Sequence, residues 1–228
     1  MKKKILILGS KPGSKLPDVE CNKIYSSNAS AKRTDAYFKK FGEVDHTCII
    51  GARHFQGNTE VNQSVTNSKI NNLIVRGLTK ISKENFITNP EIIYLNNKQQ
   101  FEIQSNFFNI SFFTYILGEL KYENSLFEKI KHLIKCIKHK KFLGVSTGFF
   151  SLIYAHINNP EAELIVSGIG MMEDERIYDN KNRGFINRAR VDNFFMLKAK
   201  EEFLKNIVSV DEDFVNVSKV KKWSGKFI

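Results

Sequence analysis

Three small residues that precede an apolar segment are of types that are common in anion-binding sites. Ser146, Thr147 and Gly148 precede an apolar run whose spacing predicts a helix, and the turn Asn158-Asn159-Pro160 ends it. A serine or threonine here caps the helix, and a glycine lets a ligand approach the backbone. Free N–H groups and the positive end of the helix dipole favour a phosphate or another anion. An ordinary helix cap has the same sequence, so both interpretations stay open.

Other turns with suitable residues fall at strand ends. Gly9-Ser10 follows the first apolar strand, Asn28 follows the second, Arg53 follows the third, and Gly168 ends a later one. The first turn contains neither GxGxxG nor GxxxxGK followed by Ser or Thr, so no standard nucleotide motif is present. Ligands of parallel sheets bind outside the carboxyl ends of the strands, and all of these turns fall there.

The elements that must position these turns alternate between strands and helices. Continuous apolar runs predict a mostly parallel sheet covered by helices on both faces, which is a Rossmann-like α/β fold. No linker or repeat divides the chain, so we expect a single domain over residues 1–228. The predicted strands are 3–8, 23–27, 46–50, 73–75, 92–95, 164–166 and 207–210, and the main helices, besides the one after residue 148, are 30–41, 122–139, 189–205 and 213–220.

The stretch from 58 to 113 is the least regular part of the sequence. Asn, Gln, Ser and Thr dominate residues 58–72, and residues 96–109 are rich in Asn and Gln with scattered Phe. Apart from two brief strands and one short helix within 58–72, we expect irregular backbone here, which is a natural place for a binding insertion.

Residues 122–139 form the clearest amphipathic helix, with an apolar face and lysines opposite it. His132 and His139 fall on the basic face, so we expect both to be solvated. The apolar face consists of Leu126, Ile130, Leu133, Ile134 and Ile137.

The composition predicts a cytoplasmic protein with one sizeable core. The chain has 228 residues, 42% of them hydrophobic, and no apolar run approaches the ~20 residues of a membrane span. The apolar run after the first lysines is too short for a signal peptide, and three scattered cysteines suggest neither disulfides nor a zinc site. A net charge of +11 attracts nucleic acid, phosphorylated substrates or anionic lipid, so peripheral contact with the inner face of a membrane is a further expectation.

Four segments, in this order, resemble the sialyltransferase superfamily of glycosyltransferases. They are ILGSKPGS, IYSSNAS, VSTGFFSLIYA and ELIVSGIG, and the resemblance covers about half of the chain by position. Members of that superfamily transfer an acidic 2-keto sugar, such as sialic acid or Kdo, from a CMP-activated donor to a glycan acceptor. The resemblance implies the same activity here, without a metal or other cofactor. The acceptor is then a glycan, lipid-linked glycans included, and residues 58–113 are the place to bind it.

The resemblance also implies roles for the turns at the strand ends. The expected donor-binding residues are Gly9, Ser10, Asn28, Ser146, Thr147, Gly148 and Gly168. Ser10 and Asn28 would contact the cytidine and phosphate side of the donor, and residues 146–148 would hold the sugar carboxylate and the phosphate. A CMP-sugar carries one phosphate and one carboxylate, and serine hydroxyls with free N–H groups suit both.

The catalytic residues are where this chain departs from the superfamily. Inverting members use a histidine before the late helix, but the matching stretch 184–192 contains none. His54 follows a strand end and is a candidate general base, and an acidic residue such as Asp174 is the alternative, including as the nucleophile of a retaining reaction. Arg188 and Arg190 either stabilise the leaving phosphate or belong to a solvated helix start. The other acidic candidates are Glu173, Glu175 and Asp192.

Asp211-Glu212-Asp213 matches the Asp-x-Asp metal motif of many sugar-nucleotide transferases. Acidic residues are also expected at the start of a helix. We favour the helix interpretation and expect no metal.

Two other classes compete with a transferase. A nicotinamide-dependent oxidoreductase needs GxGxxG and an acidic residue at the end of the second strand, and neither occurs. The net charge suggests a nucleic-acid-binding protein, but the lysines are spread along the chain without an aromatic–basic cluster, so we expect no nucleic-acid partner. The alternative that stays open is a nucleotide- or nucleic-acid-binding α/β protein without transferase activity.

Overall fold

A parallel sheet is the centre of the fold. The computed structural model describes residues 2–139, 141–171 and 184–228, and in this part of the chain eight strands form one sheet in the order β5-β4-β3-β2-β1-β6-β7-β8. Every neighbouring pair is parallel, which confirms the predicted fold class. The strands are β1 (Lys4–Leu8), β2 (Lys23–Ser27), β3 (Asp45–Gly51), β4 (Asn72–Arg76), β5 (Glu91–Leu95), β6 (Glu163–Ser167), β7 (Ile207–Ser209) and β8 (Lys221–Lys222).

Helices cover both faces of the sheet. They are α1 (Thr34–Phe41), α2 (Ala52–Gly57), α3 (Thr59–Thr66), α4 (Asn97–Phe108), α5 (Phe112–Glu119), α6 (Leu126–His139), α7 (Thr147–Asn158), α8 (Gly184–Met196), α9 (Glu201–Lys205) and α10 (Glu212–Ser218). Short 3-10 segments occur at Asn28–Arg33, Lys83–Asn85 and Leu120–Tyr122. Among the described residues, no helix has the length and the apolar character that are needed to cross a membrane.

β1 lies in the middle of the sheet and is buried on both faces. Ile5 and Ile7 belong to the core on the α7 side, and Leu6 and Leu8 belong to the core on the opposite side. β1 pairs with β6 along its whole length. Both apolar runs that the sequence assigns to the interior are therefore interior strands, as their lack of polar alternation predicts.

α7 determines where its own N-terminus lies. The helix packs on β1, β2, β3 and β6 and leads into the amino end of β6. It therefore runs antiparallel to the strands and begins at their carboxyl edge. The turn at residues 146–148 consequently lies on the side of the sheet where ligands of such folds bind.

The strand order reverses between β1 and β6, and the turns that follow these two strands touch. A Cβ on Gly9 would lie 2.0 Å from the carbonyl oxygen of Gly168, which itself has a φ of +86°. The guanidinium of Arg33 lies beside them and donates to the carbonyl oxygens of Gly9 and Ser167 at 3.0 Å and of Ser14 at 2.9 Å. The crevice at this switch point is therefore filled by the protein's own arginine.

The region 58–113 confirms the two brief strands and the short helix of the prediction, but its stretch 96–109, predicted to be irregular, is mostly helical. It contains α3, β4, β5 and α4. Asn96 and Gln99 form a capping box, in which each side-chain oxygen accepts the other residue's N–H at 2.9 Å. The polar run is thus the start of a helix, and Phe108 of that helix packs in the core. A role in acceptor binding stays a prediction.

Two other helices differ from expectation. The helix predicted over 189–205 is two helices, α8 and α9, with a turn between them. α6 turns His132 and Cys136 into the protein and leaves Ile130 and Ile134 exposed, so the prediction of a solvated His132 is wrong. The physical reason is the carboxylate of Glu119, described below. The side chain of His139 lies outside the described part of the chain.

The contact between the two turns makes residue 9 intolerant of any side chain. We expect Gly9→Ala to lower the free energy of unfolding by about 3 kcal/mol or more, because the new methyl group meets backbone that cannot move aside. Gly57→Ala is the matched control, since a Cβ there meets nothing within 4 Å. Urea denaturation measures both, and equal midpoints for the two variants would contradict the close contact.

Candidate functional site

The start of α7 is a capped helix N-terminus with two open N–H groups. Ser146 caps the helix, as predicted, and its Oγ accepts the N–H of Phe149 at 3.2 Å. Among the described residues, no group accepts a hydrogen bond from the N–H of Thr147 or Gly148, as expected for the first turn of a helix. A Cβ on Gly148 would lie 3.6 Å from Ser27 Oγ, so the end of β2 is the neighbouring wall.

Buried side chains hold the turn that leads into α7. Glu119 accepts the N–H groups of Leu143 and Gly144. Gln104 Oε1 accepts the N–H of Val145 at 2.8 Å, and Asp192 Oδ1 accepts the N–H of Ser146 at 2.7 Å. The backbone in front of the helix is therefore fixed before any ligand arrives. Asp192, one of the acidic candidates, is a buried part of this support.

Arg76 at the end of β4 brings a positive charge to the start of α7. Its Nε donates to Gln100 Oε1 at 3.0 Å, its Nη1 lies 3.4 Å from Thr147 Oγ1, and its guanidinium lies over the Phe150 ring at 4.5 Å. Within the described ranges, no carboxylate forms an ion pair with it. Burial, and next the charge of Arg188, lowers the pKa of Arg76 to about 10, so it is still cationic at neutral pH.

Arg188 and Arg190 leave α8 in different directions. The guanidinium of Arg188 donates to the carbonyl oxygen of Gly144 and lies over the Tyr122 ring at 5.4 Å. It therefore reaches the turn before α7, and its charge acts on Arg76. Arg190 donates instead to Asn124 Oδ1, in the connection before α6. Of the two arginines predicted at the site, the structure brings Arg188 to the turn.

His54 lies beside the start of α7, and Asn28 contacts the neighbouring end of β3. A Cβ on Gly51 would lie 3.3 Å from His54 Cδ2 and 3.7 Å from Thr147 Oγ1, so the imidazole and the threonine flank the same point. His54 itself is exposed. Asn28 has a left-handed φ of 49°, and its Oδ1 accepts the N–H of Gly51 at 3.1 Å. The ends of β2 and β3 therefore meet the helix.

The remaining donor candidates lie beside this group. Ser10 is buried and its Oγ donates to the carbonyl oxygen of Ser27 at 3.1 Å. Gly9 and Gly168 pack on each other at the switch point, as described above. Asp174, with Glu173 and Glu175, lies outside the described residues.

The Asp-x-Asp segment anchors the turn after β6. Asp211 accepts the N–H of Gly168, and Asp213 Oδ2 accepts the N–H of Met171 at 3.0 Å. Asp213 also forms an ion pair with Lys11 at 2.7 Å. A cleft of about 330 Å³ lies between these carboxylates and the turn at residues 11–15, and lysines of that turn line it together with the acidic residues.

One cluster in the described part of the chain brings three potential metal ligands close together. It consists of Glu119, His132 and Cys136. Their ligand atoms lie within 4.8 Å of one another, and all three side chains are buried. His132 Nε2 lies 3.3 Å from Glu119 and its Nδ1 lies 3.1 Å from Glu123. Hydrogen bonds with Cys136 and Glu119 raise the pKa of His132 to about 10. An imidazolium between two carboxylates accounts for this arrangement, and the absence of a metal stays a prediction.

Arg76 is the residue that the sequence analysis missed. The signal was available, because Arg76 directly follows an apolar strand, just as Arg53 does. What the sequence did not reveal is that the end of β4 faces the start of α7. Arg53, by contrast, is exposed.

No protein-family model, curated protein or solved structure matches this chain. The site itself is therefore the basis for inferring function. It has two guanidinium groups, a helix N-terminus with open N–H groups, and an exposed imidazole at its edge. The chemistry of these groups suits an anion, and the imidazole is of a type that can act as a base.

The buried imidazolium predicts a pH-dependent stability. Because the folded pKa of His132 is raised, its contribution is complete below the ordinary value of 6.5 and is lost as the pH rises through about 10. His132→Gln should lower the free energy of unfolding by about 3 kcal/mol below pH 6.5, and the difference should shrink toward pH 10. Urea denaturation across this range measures it. Lys135→Gln, at an exposed position of the same helix, is the control, and a pH-independent difference for His132→Gln would contradict the ion pair.

Proposed function

We propose that the protein is a glycosyltransferase that transfers an acidic 2-keto sugar, of the sialic acid or Kdo type, from a CMP-activated donor to a glycan acceptor. The observation that carries the proposal is Arg76, a desolvated cation without a carboxylate partner in the described chain, beside the open N–H groups of Thr147 and Gly148. The resemblance of the strand-end segments to the sialyltransferase superfamily supports the choice of donor.

The charges at the site match those of a CMP-sugar. The donor has one phosphodiester and one carboxylate, each of which carries a single negative charge. The N-terminus of α7 with Arg76 can bind one anionic group, and Arg188 is close enough to bind the other. Ser10 and Ser27, at the ends of β1 and β2, supply hydroxyl groups for the nucleoside side. The two guanidinium groups would neutralise these two charges without a metal ion.

His54 is the proposed general base. The acceptor hydroxyl oxygen forms a bond to the anomeric carbon while the bond from that carbon to the phosphate oxygen breaks, and its electron pair leaves with CMP. The hydroxyl proton passes to the imidazole of His54, and Arg76 with Arg188 stabilises the phosphate that departs. Exposure of His54 leaves room for the acceptor. If Asp174 or a neighbouring carboxylate is the base instead, His54→Gln retains transfer.

A nucleotide- or nucleic-acid-binding protein without transferase activity is the second candidate. The net charge of +11 is the observation that favours it. Saturable binding of CMP with transfer supports the first candidate, whereas salt-sensitive binding of DNA or RNA supports the second.

CMP should raise the melting temperature, and UDP and NAD should not. A nucleotide at about a thousandfold above its dissociation constant stabilises the folded state by ~4 kcal/mol.

Arg76→Gln should weaken CMP binding by roughly ten- to a hundredfold, because a charge-assisted hydrogen bond contributes ~1.5–3 kcal/mol. Thermal shift and calorimetry measure these effects. A clear shift with another nucleotide and none with CMP would reject the donor assignment.

Gly148→Ala separates a donor cradle from a simple helix cap. The new methyl group would lie 3.6 Å from Ser27 Oγ and 3.7 Å from Ile169, which are ordinary contacts, so the variant should fold and melt like the parent. It would cover the backbone that a phosphate or carboxylate must approach, so CMP affinity should fall by about tenfold or more. Gly57→Ala is the control for a helical glycine in open space. If a well-folded Gly148→Ala variant binds CMP as tightly as the parent does, the turn is a helix cap and does not bind the donor.

A further inference from the structure

The apolar side of α6 faces solvent. Leu133 is partly buried, but the other five large apolar residues keep half or more of their surface exposed: Leu126 75%, Phe127 73%, Ile130 50%, Ile134 53% and Ile137 59%. The opposite side of the helix carries His132 and Cys136, which are buried. An amphipathic helix of a soluble domain usually buries its apolar side, so α6 has the reverse orientation.

These five residues form one stripe. Their spacings of three and four residues place them within an arc of roughly 100° at about 100° per residue, on the side away from His132 and Cys136. The stripe is about 17 Å long, as follows from the rise of an α-helix. Continuous exposed apolar surface of this kind marks a site of interaction.

Lysines border the stripe. Lys131, Lys135 and Lys138 are exposed along one margin, and Lys129 lies on the other. The 14-residue helix contains four lysines and only one acidic residue, Glu128. Helices of this composition lie in the plane of anionic membranes, because the apolar residues enter the headgroup region while the lysine ammonium groups reach the phosphates.

An anionic lipid surface matches the stripe better than a second copy of the chain does. Two copies paired along the stripe would bring their lysine margins close together, and one glutamate on each helix cannot neutralise them. A bilayer offers negative charge on every side and an apolar layer beneath it. Fourteen residues are too few to cross a hydrocarbon core of ~30 Å, so the helix would lie parallel to the surface.

We propose that α6 is a membrane-binding helix that lies on an anionic lipid surface, with its apolar stripe in the headgroup region. The proposal does not depend on the identity of the sugar donor, because the stripe and the start of α7 are separate surfaces joined through Glu119.

Flotation of the full chain with vesicles tests the proposal. The parent should float with vesicles that contain phosphatidylglycerol, should bind pure phosphatidylcholine weakly, and should be released by salt. Ile134→Glu should lower binding to the anionic vesicles by about tenfold or more, because it places a charge in the centre of the stripe. Leu197→Glu, which makes the same change at an exposed leucine after α8, is the matched control and should bind like the parent. Both positions are exposed, so both variants should keep the parent melting temperature.

A second pair of changes tests the charges alone. Lys135→Gln combined with Lys138→Gln should weaken binding to the anionic vesicles and reduce its salt dependence. The proposal is overturned if the parent does not float with anionic vesicles, or if Ile134→Glu floats as well as the parent. Light scattering after gel filtration covers the remaining case, since a dimer that Ile134→Glu dissociates would assign the stripe to a second copy of the chain.

Discussion

The carboxylate of Glu119 connects the start of α7 to the orientation of α6. Its Oε1 accepts the N–H of Gly144, and its Oε2 accepts the N–H of Leu143 and lies 3.3 Å from His132 Nε2. A buried carboxylate needs a compensating charge, and the imidazolium of His132 supplies it. Because His132 and Cys136 are four residues apart on one helix, turning them inward turns the opposite, apolar side outward. The exposed stripe is thus a consequence of how the turn before α7 is held.

Electrostatics explains why the turn must be held so firmly. Arg76 is desolvated and lies near a second guanidinium, and both effects lower its pKa. The charges of Asp192 and Glu119 offset these effects in part. A bound anion would offset them further, so a ligand with two negative groups would suit the pair of arginines. The N–H groups of Thr147 and Gly148 add to that preference only if α7 begins at a fixed place. Glu119, Gln104 and Asp192 fix that place in advance, so a ligand does not have to order the backbone itself.

Much of the fold follows from the sequence, because a buried parallel strand has a simple signature. The runs that became β1 and β6 lack polar alternation, and Ser146 is a regular cap before an apolar helix. The polar start of α4 looked like a loop because its capping box uses the same Asn and Gln residues that loops favour. The reversed orientation of α6 could not be predicted from the sequence. Amphipathic periodicity identifies the two sides of a helix, but tertiary contacts decide which side is buried.

The candidate site was predictable in part for a similar reason. Ser10, Asn28, His54 and residues 146–148 were identified because each one stands at a strand end or a helix start. Arg188 and Arg190 looked equivalent in sequence, but positions two apart on a helix point to different sides, and only contacts separate Gly144 from Asn124 as their partners. Arg76 requires knowledge of the strand order, which places β4 next to β3, one of the strands on which α7 packs.

The strand order also explains where the site lies on the sheet. In doubly wound sheets the usual binding crevice is at the point where the order reverses, here between β1 and β6. Contact between Gly9 and Gly168 closes that point, and the Arg33 guanidinium fills the space beside it. Polar groups that remain open are therefore displaced toward the ends of β2, β3 and β4, where the N-terminus of α7 is aimed. A ligand bound there would lie over the α7 side of the sheet, with its anionic groups on Arg76 and the helix start and its far end toward His54.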